Sequence, residues 1–508
     1  MVQQLAALLA ALSLGAGASV PLSGNAATFA ALLEETNAAH AKIDAPRADL
    51  DRYRYDFQNG KPLFTLEDGK RIRAFDQNNL DLHDPLPADE ARAEVGWVMR
   101  LLRSQYGLYT WSGGDAAFDK AEKEILAALP ETGTIALTDY KALMIRHLSF
   151  IGDTHFSFDG HNFQPDIQLF ADESRAYYRK NGTFYIDAAC TDAVRAIDGQ
   201  APETYLKRAI GQNGELTYYL YRLAPRAEAL EMKVETAGGT FTAKLHLAIS
   251  LDSRTAPEEN YVYSVRGGIP FMELNRTVFG EDDQSGWSNQ HDEDDKQAFL
   301  ASAEAIKEYP AAVLDLSHNP GGNGDLPPEW FYRYTGEQAQ PNYCTLRIRA
   351  SDTWLRSCYG AENEEQCAEI RAQTDAYHAA GGLRVDGDYY VGAPEPQFLE
   401  QPDRVLFVLT ARHTASAAEA FTDLMHNLQN VVTIGANTGG VLTNGANYGI
   451  SLPYSGLFFQ FGECLFYWDP AYFQEGAGMT PDVYLTGDRL NERLELFLTR
   501  YAGMQSKK

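Results

Sequence analysis

Apolar and polar positions fall into three different patterns along the chain. From residue 25 to 150 the apolar residues recur at helical spacing, most clearly over 91–106 and 118–128, which predicts amphipathic helices. Between 160 and 250 the period shortens. Residues 183–186 and 230–235 read as strands, and 194–199 (VRAIDG) reads as a strand ending in an Asp-Gly turn before a helix at 202–210. From Tyr261 onward strands and helices alternate: a strand near 268–274, a helix over 294–308, then apolar strands at 311–316, 405–409 and 431–435. Runs without polar positions are strands buried on both faces, and their alternation with helices predicts an α/β core. Residues 326–400 interrupt that core with a polar excursion carrying Trp330, Tyr332, Trp354 and Tyr359. These aromatics read either as a substrate-binding lid or as local packing.

The ends of the apolar strands carry the candidate chemistry. After 405–409 a polar turn leads into a helix of small residues, with Thr414, Ala415, Ala417 and Ala418 leaving no bulk around Ser416. A serine at a strand-to-helix turn has free backbone N–H groups and the positive end of the helix dipole beside it. That is where a nucleophile and an oxyanion hole can be built; alone, Ser416 reads as an N-cap. After 311–316 comes Asn319-Pro320-Gly321-Gly322, a tight turn whose backbone can approach a ligand closely. His155 follows Gly152-Asp153-Thr154 among aromatics, and Glu475 precedes a glycine-rich turn and a Pro-Asp pair. In isolation the histidine reads as structural and the glutamate as a solvated surface acid.

Taken in order, these segments resemble the S41 peptidases, the family of C-terminal processing proteases and tricorn proteases. Residues 314–322, 414–419, 432–440 (VTIGANTGG) and 475–483 carry the resemblance, together with Gly-Asp-Thr-His upstream. The resemblance implies a ClpP/crotonase-like catalytic core. The processing proteases use a serine–lysine dyad, but the matching turn Thr438-Gly439-Gly440-Val441 has glycine where that lysine would stand, and no lysine occurs between Lys307 and Lys507. The resemblance therefore points to the tricorn type. It implies Ser416 as nucleophile, His155 as general base, Glu475 as orienting acid and Thr154 within the relay, threonine replacing the usual serine. Asp153 is an alternative partner for His155, and Glu419 reads as a helix cap. N–H groups of Gly321 or Gly322 and of Ala417 are the expected oxyanion hole. No metal and no cofactor is expected, since His318, His413 and His426 lack ligand spacing.

The domain reading is a possible signal peptide at 1–24, a helical cap bearing the histidine at 25–159, a β-rich insert at 160–255 that reads either as a degenerate form of the PDZ-like domain the resemblance implies or as a β-rich insert alone, and the catalytic core at 256–508 with its polar insertion at about 326–400. The apolar stretch 5–18, closed by Ala16-Gly17-Ala18, reads as a signal peptide with a shortened start or as an Ala/Leu-rich helix; the first places the protein outside the cell or in its envelope. The length of 508 residues suits two or three domains. A net charge of −27 excludes nucleic acid and anionic membrane as partners, and no stable membrane insertion is expected. The acidic runs 281–283 and 292–295 read as loops. Five cysteines form no Cys-x-x-Cys pattern. Cys344, Cys358 and Cys367 suit one disulfide, while Cys190 and Cys464 suit burial. The expected partner is a peptide or protein substrate. The rival readings are a non-catalytic relative binding an apolar ligand or peptide, and a serine hydrolase of other acyl substrates.

Overall fold

The computed structural model describes residues 23–46, 50–61, 63–64, 68, 84–279, 292–349, 364–401 and 403–503. The signal-like stretch up to residue 22, the acidic run 281–283, Trp354, Tyr359 and Cys358 lie outside the described residues, as does the side chain of Cys367. The helices in chain order are α1 (Ser23–His40), α2 (Ala88–Gln105), α3 (Gly114–Ala128), α4 (Leu137–Leu148), α5 (Asp292–Ala305), α6 (Leu326–Thr335), α7 (Glu364–Ala380), α8 (Ala417–His426) and α9 (Leu490–Tyr501).

The alternation after Tyr261 builds a parallel sheet. Ile269–Leu274, Ala311–Asp315, Val405–Thr410, Val431–Gly435 and Val483–Tyr484 lie side by side and parallel. Their unbroken apolar runs follow from burial on both faces, with successive side chains pointing in opposite directions. Val313, Phe407, Leu409, Val432 and Ile434 meet Phe29, Leu32 and Leu33 of α1 and Leu494, Phe497 and Leu498 of α9. Ala312, Leu314, Leu406, Val408 and Val431 meet the opposite layer, formed by Phe299 of α5, Trp330 and Phe331 of α6, and Phe421, Leu424 and Met425 of α8.

The sheet continues beyond the expected core. Residues 202–210 were expected as a helix, but only Pro202–Thr204 form a helical turn, and Leu206–Ile210 is a strand. It pairs with Val483–Tyr484 on one side and Leu216–Pro225 on the other, so sheet pairing overrides local helix preference. Through this strand the β-rich region joins the core sheet, which holds 13 strands among the described residues. The run 292–295, expected in a loop, forms the first turn of α5, where the helix dipole favours acids. The excursion after 326 contains α6, α7 and strand Cys344–Ile348. Trp330 is a packing residue, fully buried between Phe299 and Phe421. Cys344 directs its sulfur to the carbonyl of Pro46 at 3.5 Å. Cys464 is buried as expected, and Cys190 is partly exposed.

A second sheet runs Arg384–Asp386, Tyr389–Gly392, Cys344–Ile348, Phe458–Tyr467, Ser157–Phe158 and His161–Asn162, with Asn444–Ser451 also on Phe458–Tyr467. It shares a core with α2, α3 and α4, in which Val95, Leu102, Phe118 and Met144 meet Leu346, Phe459 and Leu465. No described helix is long and apolar enough to cross a membrane. Trp330→Ala should cost about 3–5 kcal/mol, as for other buried aromatics, and should lower the urea midpoint without changing the α/β circular dichroism spectrum.

Candidate active site

The turns after three parallel strands converge. Strand Val405–Thr410 leads through Thr414 and Ala415 to Ser416, and α8 begins at Ala417. Ser416 has φ 53° and ψ −120°, a strained conformation for a residue with a Cβ. Such strain persists only where the surroundings hold it. Thr414 Oγ1 donates to the carbonyl of Leu316 at 2.8 Å and accepts from the N–H of Ala411 at 2.9 Å. The N–H of Ala415 donates to the carbonyl of Asn319 at 3.0 Å, which ties the serine turn to Asn-Pro-Gly-Gly.

Glu419 is fully buried on α8. Its carboxylate accepts from the N–H groups of Ser416 (3.1 Å), Gly440 (2.7 Å) and Val441 (2.8 Å) and from the hydroxyl of Thr438 (2.6 Å). It is more than the cap read from sequence, because it fastens the turn after Val431–Gly435 to the serine turn. Gly440 has φ 69°, and a Cβ there would lie 2.6 Å from the backbone nitrogens of Gly476, Ala477 and Gly478. A lysine cannot stand at that position, which agrees with the absence of a dyad lysine.

His155 approaches from the other sheet, in the loop between α4 and Ser157–Phe158. Its Nε2 lies 3.1 Å from Ser416 Oγ. Burial holds its pKa below the usual histidine value, and Asp153 opposes that shift. Buried Asp153 shapes the loop: Oδ1 accepts from the backbone N–H of His155 at 2.9 Å, and Oδ2 accepts from Tyr106 Oη at 2.9 Å and Asn444 Nδ2 at 2.7 Å. Glu475 accepts from the N–H of Thr154 at 2.9 Å and of Thr443 at 3.1 Å. Its carboxylate thus braces the histidine loop. Burial, and then the nearby Asp153, push the Glu475 pKa up to about 8.

Gly321 has φ 101°, and a Cβ there would lie 2.7 Å from Ser416 Cβ, so only glycine fits beside the serine. Its N–H donates to Asn319 Oδ1 at 2.8 Å and is not free for an oxyanion. Among the described residues, no acceptor faces the N–H groups of Gly322 and Ala417. Sequence reading missed Asn319 and Arg412 as positioning groups. Arg412 donates to the carbonyls of Thr438 (2.8 Å) and Gly476 (2.9 Å) and so joins the two glycine turns. An arginine placed between an apolar strand and the small-residue turn at Ser416 was the available signal.

Residues 284–485 match the family model for Peptidase family S41. The matched segment contains Ser416 and Glu475; His155 lies upstream of it. No curated protein matches the chain. Similar solved structures include mature CPAF complexed with lactacystin, 13% identical over 82% of this chain and 98% of that one, with a TM-score of 0.42. The photosystem II D1 C-terminal processing protease is 14% identical over 80% and 96%, with a TM-score of 0.36. The tricorn protease is 12% identical over 78% and 34%, with a TM-score of 0.32.

The raised pKa of Glu475 fixes the sign of a pH effect. The folded state holds a proton there that the unfolded chain has lost above about pH 4.5, so this group's contribution to stability falls as pH rises from about 4.5 to 8. Thermal melts across that range should decline more steeply for the wild type than for Glu475→Gln; parallel curves would show that Glu475 titrates normally.

Proposed function

We propose that the chain is a serine peptidase in which Ser416 is the nucleophile and His155 the general base. The observation that carries this reading is the 3.1 Å approach of His155 Nε2 to Ser416 Oγ at a residue held with φ 53°. The hydroxyl adds to the substrate carbonyl while Nε2 takes its proton. The oxyanion that forms accepts from the N–H groups of Gly322 and Ala417, each such donor being worth about 100- to 1000-fold in rate. The imidazolium then protonates the leaving amine. A water molecule deacylates the enzyme by the same steps in reverse order, with His155 again as base. Glu475 and Thr154 act as positioning residues: Glu475 fixes the main chain one residue before the histidine, beside the buried Asp153 and the groups that donate to it. The substrate is a peptide or protein.

A fluorophosphonate probe tests the assignment. Wild-type protein should label, Ser416→Ala should not, and His155→Ala should label about 100- to 10,000-fold more slowly. The labelling rate should fall on an acidic limb below about pH 6.5, because the His155 pKa lies below its ordinary value and only the neutral imidazole accepts a proton. A folded wild type that does not label would overturn the peptidase reading in favour of a non-catalytic ligand-binding relative. Labelling without cleavage of peptide libraries would favour other acyl substrates.

A location outside the cell or in its envelope is part of this proposal and rests on the apolar stretch 5–18. Sequencing the N-terminus of protein from the culture medium or envelope fraction should find a start near Ser19. Recovery only from the cytoplasm with Met1 intact would contradict it.

A further inference from the structure

α1 ends at His40, whose ring lies against that of His426, the last residue of α8, with centroids 4.3 Å apart. Asp482, just before the last parallel strand, completes a group in which one ligating atom from each residue lies within 4.8 Å of the others. His40 and His426 are 6% and 3% exposed. His426 Nε2 is buried with no hydrogen-bond partner, and His40 Nε2 faces Asp482 Oδ1 at 3.1 Å. Buried polar atoms are nearly always partnered, so a bare imidazole nitrogen beside a second imidazole and a carboxylate calls for a further group that accepts its lone pair.

The surrounding bonds set up the ligands. Tyr472 Oη has one proton and two neighbours, Asp423 Oδ1 at 2.9 Å and His426 Nδ1 at 2.7 Å. Asp423 also accepts from Asn342 N and Nδ2, both at 2.9 Å, so the tyrosine proton goes to this carboxylate. His426 Nδ1 then donates to the tyrosine, and the lone pair resides on Nε2. Metal-bound histidines are held in this way through their other ring nitrogen. Asp482 Oδ2 accepts from Thr433 N and Oγ1, both at 2.7 Å, which leaves Oδ1 facing His40 Nε2 at 3.1 Å. A cleft of about 270 Å³, lined by the three residues together with Tyr472, Lys42, Asp44 and Asp469, gives a polar entry and room for a water ligand.

We propose that His40, His426 and Asp482 bind a divalent transition-metal cation of the zinc type. Two imidazoles, one carboxylate and a water make a familiar zinc donor set, and bond lengths of 2.0–2.2 Å require ligand–ligand spacings of about 3.3 Å. The His40–Asp482 pair already has that spacing at 3.1 Å, and the widest separation, within 4.8 Å, needs to close by up to about 1.5 Å. The role is structural. His426 stands ten residues after Ser416, about 15 Å along a helix. The cation clamps the end of α1 onto the far end of the nucleophile helix and onto the last parallel strand, where Asn37 and Asn430 already exchange hydrogen bonds of 2.9 and 2.7 Å.

The test uses the untagged full chain, freed of metal with a chelator and titrated with zinc against a chromophoric competitor. One zinc should bind per chain, and its affinity should drop by about 10- to 100-fold or more in His40→Gln and in His426→Gln. It should be unchanged in His413→Gln, whose ring is exposed. Zinc should raise the melting temperature of the wild type and leave its fluorophosphonate labelling rate unaltered. Cobalt substituted into the wild type should give the intense visible absorption of a four-coordinate ion. Absence of a bound equivalent in the wild type, a weakly absorbing six-coordinate cobalt form, or an affinity undiminished from the wild type in both histidine variants would overturn the site. The wild-type stoichiometry and cobalt spectrum decide the matter even if a variant does not fold.

Discussion

A carboxylate buried in a protein interior must be surrounded by donors, and Glu419 meets that requirement by drawing in the ends of two parallel strands. Its oxygens take three backbone N–H groups and one hydroxyl, from Ser416, Gly440, Val441 and Thr438. Burial raises its pKa, and these bonds oppose the rise. Losing any one of them would leave a donor or part of the charge uncompensated in a dry environment. The serine turn, the glycine turn after Val431–Gly435 and the first turn of α8 therefore form one unit. Ser416 can hold its strained backbone because that unit cannot relax around it.

The loops from the second sheet rest on this unit. Gly440 leaves room for the backbone of residues 476–478, and Arg412 bonds carbonyls on both sides of that contact. The segment carrying Glu475 is thereby fixed, and Glu475 in turn fixes the main chain at Thr154. His155 arrives at Ser416 through a chain of backbone hydrogen bonds rather than a direct bond between its second ring nitrogen and the acid. The carboxylates of Asp153 and Glu475 sit close enough to repel, and keeping a proton on Glu475 relieves that repulsion. The arrangement places a histidine of lowered pKa 3.1 Å from the Ser416 hydroxyl.

The strand runs at 311–316, 405–409 and 431–435 were legible in the sequence because a strand covered on both faces must be apolar throughout, and no other short element has that composition. Ser416 was legible as a candidate because small residues crowd a strand-to-helix turn there, and Glu475 because a Gly-x-x-Pro-Asp segment follows it. The strand at 206–210 was not legible. Its alternation is weak, with Lys207 and Arg208 in the middle, and only pairing with residues 483–484 and 216–225 makes it a strand. The aromatics of the excursion were ambiguous because a buried and an exposed aromatic look alike in one dimension; Trp330 is fully buried, while Tyr332 is 49% exposed.

By itself the sequence determined the α/β alternation, the turns that end its strands, and the absence of a lysine able to serve a dyad. Each follows from a local rule: burial pattern, backbone freedom at glycine, or the residue types present. Only the tertiary structure decided which groups meet. It brought His155 to Ser416 across 261 positions, a distance in sequence over which no periodicity carries information. It assigned the N–H of Gly321 to Asn319 Oδ1. It set His426, which has no ligand spacing along the chain, between His40 and Asp482. Hydrogen bonds and ligand sets are satisfied in three dimensions, and long loops let distant residues supply them.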